Sequence, residues 1–172
     1  KPSVDAFLEA FEPSGLDRLT LRPSYGLAEA TLIVSTPQNK DRPRFAFFDR
    51  NELANGKAVE VGEDAGVAFA SNGQPVQWQH FAIVDPETKN ELPEGEVGEM
   101  WVHGPNTAAG YLDREDETNE TFRNVIGETL QEGLPKDNWL NTGDLGTLVD
   151  GHLYITGRVK DLVVVALSLI HI

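Results

Sequence analysis

The chain of 172 residues contains no cysteine. Disulfides, thiolate nucleophiles and zinc sites built from thiolates are therefore excluded, and the composition is compatible with a reducing compartment. Basic residues are few, because 14 Lys and Arg stand against 28 Asp and Glu, and the formal net charge is −14. Such an acidic chain repels a phosphate backbone, so nucleic acid is not expected as a partner.

Long apolar runs are missing as well. No stretch of the sequence approaches the roughly 20 apolar residues that a membrane helix needs, so no transmembrane segment is expected. Hydrophobic residues make up 40% of the chain and charged residues 24%, as in ordinary globular domains. We therefore predict a soluble protein of cytoplasmic location, long enough for one domain with its own core.

The first 70 residues show three patterns. Apolar residues at helical spacing follow Ser3 and predict an amphipathic helix with that serine as its N-cap. An apolar run at 19–21, followed by a loop with proline and glycine, predicts a strand end of the kind where α/β folds bind ligands. Residues 36–69 show no clear hydrophobic periodicity, apart from a possible strand at 44–48. We interpret this segment as an insertion or a long connection.

Short alternating runs return after residue 76 and predict an antiparallel sheet or small barrel. They lie at 79–84, 98–103, 146–149 and 152–156. Asp150-Gly151 joins the last two runs and predicts a type I′ turn, because both residues tolerate positive φ. The polar segment 114–122 is predicted to be a surface helix. The predicted fold class is α/β, as a mixed α+β fragment: the end of a doubly wound α/β subdomain followed by a small antiparallel barrel-like subdomain.

Four short motifs occur in a fixed order along the chain. They are Tyr25-Gly26-Leu27-Ala28-Glu29, Gly98 to Gly104 leading to Gly110-Tyr111, Thr142-Gly143-Asp144, and Gly157-Arg158-Val159-Lys160-Asp161. One motif alone is weak evidence, whereas the order and spacing of all four are specific. The chain resembles the adenylate-forming superfamily, which includes acyl-CoA synthetases, luciferases, peptide-synthetase adenylation domains and fatty acyl-AMP ligases.

The first part of the chain narrows this resemblance. Ala28 precedes Glu29 where most relatives have threonine, and the sequence of this region resembles that of the fatty acyl-AMP ligase branch. Segment 36–69 falls where that branch carries an insertion thought to disfavour reaction with coenzyme A. The resemblance implies a ligase that uses ATP and Mg²⁺ to turn a fatty acid into an acyl-adenylate. The acyl group would then pass to an acyl carrier protein or polyketide synthase.

The resemblance implies roles for residues of the first motif. Tyr25, followed by Gly26, would bind the nucleotide by stacking an aromatic face on adenine, and the alternative is a tyrosine packed in a core. Glu29 would offer a hard carboxylate oxygen to the Mg²⁺ that bridges the ATP phosphates, and would count as catalytic. The alternative for Glu29 is an ordinary surface charge, since the chain has 28 acidic residues.

The later motifs are given roles in the same way. Asp144 would accept hydrogen bonds from ribose hydroxyls, although an aspartate beside glycine also suits a turn. Arg158 would contact ribose and phosphate oxygens and stabilise charge during the reaction, with a surface cation as the alternative. Lys160 corresponds to the hinge of the small C-terminal domain. Asn141 stands where the family usually has arginine, so a contact near the hinge is expected to be weaker.

The resemblance also implies domain boundaries. Residues 1–157 correspond to the C-terminal part of the large adenylating domain, and 158–166 to the hinge and the start of the small C-terminal domain. Residues 167–172 are expected to be a non-native tail. The family's phosphate-binding loop and late catalytic lysine have no counterpart in this sequence. We therefore expect an internal fragment of a ligase that is inactive alone.

Two alternatives stay open at this point. An acyl-CoA synthetase of the same superfamily would share every nucleotide-binding residue and differ in its second half-reaction. A non-catalytic nucleotide-binding module would keep the fold without the chemistry, and the intact Glu29, Asp144 and Arg158 argue against it.

Overall fold

A computed structural model describes residues 1–38 and 43–159. Helix α1 spans Pro2–Phe11, as the periodicity predicts, and buries Leu8. The predicted cap is wrong, because Lys1 is the N-cap residue and Pro2 occupies the first turn, with Ser3 already inside the helix. Proline suits the first helical turn because the N–H that it lacks has no helical partner there.

The strand predicted at 19–21 is wrong. Asp17 accepts a hydrogen bond from the Leu19 backbone N–H at 2.9 Å and caps a 3-10 helix at Arg18–Thr20. A local bond of this kind offers the backbone an alternative to strand pairing. Leu21, which follows the short helix, is extended without belonging to a strand.

Segment 36–69 has more structure than its sequence indicates. It contains or overlaps four elements: β1 (Ser35–Thr36), β2 (Phe45–Phe48), α2 (Arg50–Ala54) and β3 (Val67–Ala70), and β4 (Gln74–Pro75) follows shortly after it. Strand β2 confirms the prediction at 44–48, and it pairs antiparallel with β3, which the sequence analysis missed. Strands β1 and β4 pair antiparallel and bring the ends of the segment together.

Four antiparallel strands in the order β5-β6-β7-β8 form the main sheet. They are β5 (His80–Val84), β6 (Gly98–His103), β7 (Leu140–Val149) and β8 (His152–Arg158). The predicted antiparallel unit is confirmed, although β7 begins well before residue 146. Asp150 and Gly151 have φ values of 50° and 70°, which confirms the predicted turn between β7 and β8. In the described part of the chain, no pairing of β5 with β8 closes this sheet into a barrel.

Both faces of the main sheet are covered, which explains why β5 and β6 are almost entirely buried. Side chains of one face join a core with the segment after Tyr25 and with helix α3 (Glu115–Phe122): Ala30, Val34, Phe81, Ile83, Met100, Val102, Phe122, Leu140 and Leu153. The other face forms a second cluster: Ala82, Val84, Trp101, Ile126 and Trp139. Helix α3 confirms the predicted surface helix, although its last residue is buried.

The segment containing β2 and β3 is joined to the main sheet through a third core cluster, which consists of Ala46, Phe48, Ala58 and Tyr154. Phe48 is fully buried, lies 5.6 Å from Phe69 and meets the Tyr154 ring edge-on at 5.4 Å. Segment 36–69 is therefore part of the packed structure. The strand pairs among the described residues are antiparallel, so a doubly wound portion stays a prediction.

No helix in the described ranges has the length and apolar character needed to cross a membrane.

Candidate functional site

Three of the predicted residues meet beside β7. The Tyr25 hydroxyl donates a hydrogen bond to Oδ2 of Asp144 at 2.5 Å, and Nε of Arg158 donates to Oδ1 of the same carboxylate at 3.0 Å. Asp144 and Arg158 are cross-strand partners on β7 and β8. The Asp144 side chain is 12% exposed and that of Arg158 is 70% exposed, so the pair joins a sheltered anion to an accessible cation.

Tyr25 lies between the core and the site. Its ring packs against the first core cluster, as a structural tyrosine would, while its hydroxyl reaches the site. Burial raises the pKa of Tyr25 well above its usual range, and the hydrogen bond to Asp144 raises the pKa further. Tyr25 therefore stays protonated and acts as a donor. Stacking on adenine stays a prediction.

Gly26 is required by close backbone packing. A Cβ atom at this position would lie 1.5 Å from the carbonyl oxygen of Leu32, so no side chain fits without moving the backbone. Leu32 itself has a φ of 83° and is 74% exposed. The glycine lets the chain fold back on itself directly after Tyr25, and this places Glu29 in a 3-10 turn at Ala28–Ala30.

Glu29 is oriented by a tyrosine that sequence reasoning did not place in the site. The Tyr111 hydroxyl donates to Oε1 of Glu29 at 2.7 Å. The Tyr111 ring stands edge-on to Phe122 at 5.1 Å, and the Arg114 guanidinium lies 5.6 Å from its centre. Burial raises the pKa of Tyr111, and the hydrogen bond to Glu29 also raises it. The tyrosine is thus a fixed, protonated donor to this carboxylate.

Asn106 was also missed, and it clamps the loop that carries Glu29. Its side-chain amide donates to the carbonyl of Ala30 at 2.7 Å and to that of Ile33 at 3.3 Å. The backbone carbonyl of Asn106 accepts a hydrogen bond from the Thr31 hydroxyl at 2.7 Å. These bonds cross more than 70 positions of sequence, so no local pattern could have shown them.

A third residue that was missed, Glu99, lies under Asp144. It stands on β6 with 7% exposure, and it accepts hydrogen bonds from the Gly143 backbone N–H at 3.1 Å and from Nε1 of Trp101 at 2.9 Å. The glutamate belongs to the second motif, but the alternation of β6 gives no reason to single it out.

Four of the predicted residues, Gly26, Glu29, Asp144 and Arg158, line one open cleft with a volume of about 740 Å³. Its lining includes Gly26, Glu29, Glu99, Tyr111, Asn141, Asp144 and Arg158. The amide of Asn141 donates a hydrogen bond to the Glu120 carbonyl at 3.2 Å, and the weaker contact near the hinge stays a prediction. The predicted hinge Lys160 and the tail at 167–172 lie outside the described residues.

The donor set of the cleft fits a magnesium ion bound together with a phosphate substrate. Magnesium is commonly held by one or two carboxylates, with waters and substrate phosphates completing the octahedron. Glu29 supplies one such carboxylate, and Tyr111 occupies only its Oε1 atom. Within 1–38 and 43–159, no three acidic or histidine side chains converge on a site that would hold a metal by protein ligands alone.

Comparison with known proteins identifies the family of this chain. The family described as AMP-binding enzyme matches residues 2–112, which is more than half of the chain. The chain therefore belongs to the AMP-binding enzyme family, a class of adenylate-forming enzymes. The resemblance to fatty acyl-AMP ligases is confirmed by particular relatives of known sequence or structure.

The long-chain-fatty-acid–AMP ligase FadD32 of Mycobacterium marinum is 47% identical over 170 residues, which are 95% of this chain and 27% of that protein. A Mycobacterium tuberculosis relative provisionally named a fatty-acid–CoA ligase, fadD25, is 43% identical over 163 residues. These cover 95% of this chain and 28% of the relative.

A fatty acyl-adenylate ligase of Legionella pneumophila, solved with acyl adenylate and pyrophosphate, superposes with a TM-score of 0.80 at 30% identity. The match covers 94% of this chain and 27% of that protein. The present chain thus spans about a quarter of the length of these relatives, and the mixed α/β fold class is confirmed.

Proposed function

We propose that this chain is part of a longer ligase that activates a fatty acid with ATP and passes the acyl group to an acyl carrier protein. The observation that carries the proposal is that Tyr25 and Arg158 both bond to the Asp144 carboxylate, which lines the same cleft as Glu29. Three residues from three separate motifs, Glu29, Asp144 and Arg158, line one cavity, and Tyr25 bonds to one of them, as a nucleotide site requires. The relatives named as fatty-acid–AMP ligases support the choice of substrate.

In the proposed reaction, a carboxylate oxygen of the fatty acid forms a bond to the α-phosphorus of ATP. The bond from that phosphorus to the bridging oxygen of the β-phosphate breaks, and pyrophosphate leaves with the electron pair. Negative charge spreads over the phosphoryl oxygens during this displacement, so catalysis depends on positioning and on positive charge. Magnesium bound with the ATP would supply part of that charge.

The residues of this chain would act mainly by holding ATP. Asp144 offers carboxylate oxygens to the ribose hydroxyls, and its present partners show that both oxygens can accept hydrogen bonds. Arg158 is exposed enough to turn from Asp144 toward a phosphate oxygen. Glu29, aligned by Tyr111, would contribute the protein ligand to magnesium.

The choice of a carrier protein over coenzyme A is supported by the position of the insertion. Leu53 and Ala54 of α2 line a second cavity of about 340 Å³, whose other walls include Leu145, Gly157 and Arg158. The insertion thus borders the strand end that leads to the predicted hinge Lys160. A segment placed there could restrain the domain rotation that a coenzyme A reaction needs.

The second candidate is an acyl-CoA synthetase, and the relative provisionally named a fatty-acid–CoA ligase favours it. Deleting all of 36–69 would be a poor test, because Phe48 packs against Tyr154 of the main sheet. Leu53→Ser is a milder change: it alters the cavity wall and removes one partly buried side chain that packs against the third core cluster, while the buried residues of that cluster are kept.

The test uses the full-length ligase, incubated with ATP, Mg²⁺ and a panel of fatty acids. Pyrophosphate release followed by transfer to carrier protein alone would support the proposal, and Leu53→Ser should then increase acyl-CoA formation. Efficient acyl-CoA formation by the unaltered enzyme would favour the synthetase. Absence of pyrophosphate release with every acid would contradict both and favour a non-catalytic module.

A further inference from the structure

The ladder between β6 and β7 is interrupted at Asp144. Glu99 pairs with Leu145 and Trp101 pairs with Asn141. Met100 alone lies between the two positions on β6, whereas three residues lie between them on β7. The Thr142-Gly143-Asp144 motif is therefore a bulge, hereafter the β7 bulge. Gly143 has a φ of 71°, a value that glycine adopts without strain.

A bulge removes backbone groups from the ladder, and side chains replace their partners here. The Thr142 hydroxyl donates to the Met100 carbonyl at 2.7 Å and accepts from the Asp144 N–H at 3.1 Å. The Gly143 N–H finds its acceptor in Oε1 of Glu99 at 3.1 Å. The bulge is thus closed by one hydroxyl and one carboxylate.

The carboxylate of Glu99 suits this position better than an amide would. Both of its partners, the Gly143 N–H and Nε1 of Trp101, are donors, so both oxygens must accept. An amide has one acceptor oxygen and a donor NH₂ group, and would leave one partner unsatisfied. Among the described residues, no Lys, Arg or His forms an ion pair with Glu99. The acid therefore bears the cost of burial without a countercharge.

We infer that Glu99 is a positioning residue of the nucleotide site, which holds the Gly143 backbone and thereby presents Asp144 to the ribose of ATP. This inference rests on the proposed ribose role of Asp144. Glu99 contacts neither Tyr25 nor Arg158 directly, and acts through the shape of the β7 bulge. Loss of its bond frees the bulge and disturbs the angle at which the Asp144 carboxylate meets the cleft.

The chain offers a matched control in Glu91, which is also 7% exposed. Glu91 accepts from the backbone N–H groups of Leu130 at 2.6 Å and Gln131 at 3.1 Å. It lines a different cavity, on which none of the predicted nucleotide residues lies. Glu91→Gln therefore makes the same chemical change at a site of similar burial away from the β7 bulge.

The experiment measures the Kd of ATP and of 3′-deoxy-ATP for the full-length ligase, together with thermal unfolding. Unaltered enzyme should bind ATP more tightly than 3′-deoxy-ATP, because Asp144 would accept hydrogen bonds from the ribose hydroxyls. Glu99→Gln should weaken ATP binding about tenfold and reduce that preference, since one charge-assisted bond has about this effect. Glu91→Gln should lower the unfolding temperature similarly while leaving the preference unchanged.

Equal preference for ATP in Glu99→Gln and in unaltered enzyme would overturn the inference. A loss of preference in both Gln variants would overturn it as well, because the effect would then be general destabilisation. An unaltered enzyme with no preference for ATP would instead overturn the ribose role of Asp144. If Glu99→Gln does not fold, Thr142→Val removes the two hydroxyl bonds of the β7 bulge at nearly constant volume and must show the same loss of preference.

Discussion

The two edges of β6 differ in regularity. Along β5 the strand pairs in unbroken register from His80–His103 to Val84–Glu99, whereas along β7 the register is interrupted beside Glu99. The regular edge carries apolar residues of the first and second core clusters, and the interrupted edge carries Asp144. The regular side thus supplies stability, and the site is built where the ladder is broken. Bulges are common beside functional sites because they redirect a side chain out of the sheet.

The largest effect is expected from breaking the regular edge. Ile83→Ala removes a buried side chain of β5 that is 1% exposed, and should lower the free energy of unfolding by about 2–5 kcal/mol. Denaturant unfolding of the full-length ligase measures the loss. The Kd for ATP of the folded fraction should stay unchanged. A weaker ATP affinity with unchanged stability would contradict the division between the two edges.

A change at the interrupted edge should weaken the use of ATP and have little effect on stability. Asp144→Asn removes the charge that accepts from Tyr25 and Arg158, and should raise the KM for ATP about 10- to 100-fold. Stability should change by only about 1 kcal/mol, because Arg158 is 70% exposed and can turn to solvent once the charge is lost. Steady-state pyrophosphate release measures KM.

Asp150→Asn is the matched control for Asp144→Asn. Asp150 forms an exposed ion pair with Arg44 in the turn between β7 and β8, and exposed pairs contribute little to stability. The positive φ at this position also suits asparagine. An equal rise of KM in the two variants would show that the charge of the chain matters and the cleft does not.

A smaller effect is expected at Tyr111. Tyr111→Phe keeps the contact with Phe122 and removes the donor to Glu29. We expect kcat/KM to fall by about threefold to tenfold and the Mg²⁺ concentration for half-maximal rate to rise, because the carboxylate loses its orientation. Titration of rate against Mg²⁺ measures this. Tyr154→Phe in the third core cluster is the control, and an unchanged Mg²⁺ requirement in Tyr111→Phe would contradict a metal role for Glu29.

The smallest effect concerns Asp85, at the end of β5 on the regular edge. Backbone N–H groups of Thr88 and Glu87 donate to its carboxylate and lower its pKa. A lowered pKa in the folded state means that ionised Asp85 adds stability above its unfolded pKa, near about 3.9, and that this is lost as pH falls through the folded pKa. Asp85→Asn should therefore be slightly less stable than unaltered enzyme at about pH 7, and equally stable in acid strong enough to protonate Asp85 in the folded state. Urea unfolding at both pH values tests this, and a constant difference would contradict it.

Local patterns predicted much of the main sheet. Alternation indicated all four of its strands, and Asp150-Gly151 indicated their last turn, because both signals depend on neighbouring residues. The prediction at 19–21 failed because a single side chain, Asp17, bonds the backbone in a 3-10 turn. The start of β7 was missed for a related reason, since the β7 bulge interrupts the alternation that marks a strand.

The candidate site was predicted through its motifs, and its supporting residues were not. Tyr25, Glu29, Asp144 and Arg158 were selected because their types and order resemble a family. Tyr111, Asn106 and Glu99 support them through bonds that join positions 44 to 82 residues apart. No periodicity within one element carries such information.

By itself, the sequence determined the identities of the four motifs, the pattern of the main strands and the turn residues between β7 and β8. Each of these depends on side-chain chemistry and on positions close together in the chain. Only the tertiary structure decided that three residues of β7 would face one residue of β6, and that Glu99 would satisfy the freed Gly143 N–H. The register of two distant strands is set by how both faces of a sheet pack at once, and that balance exists only in the folded chain.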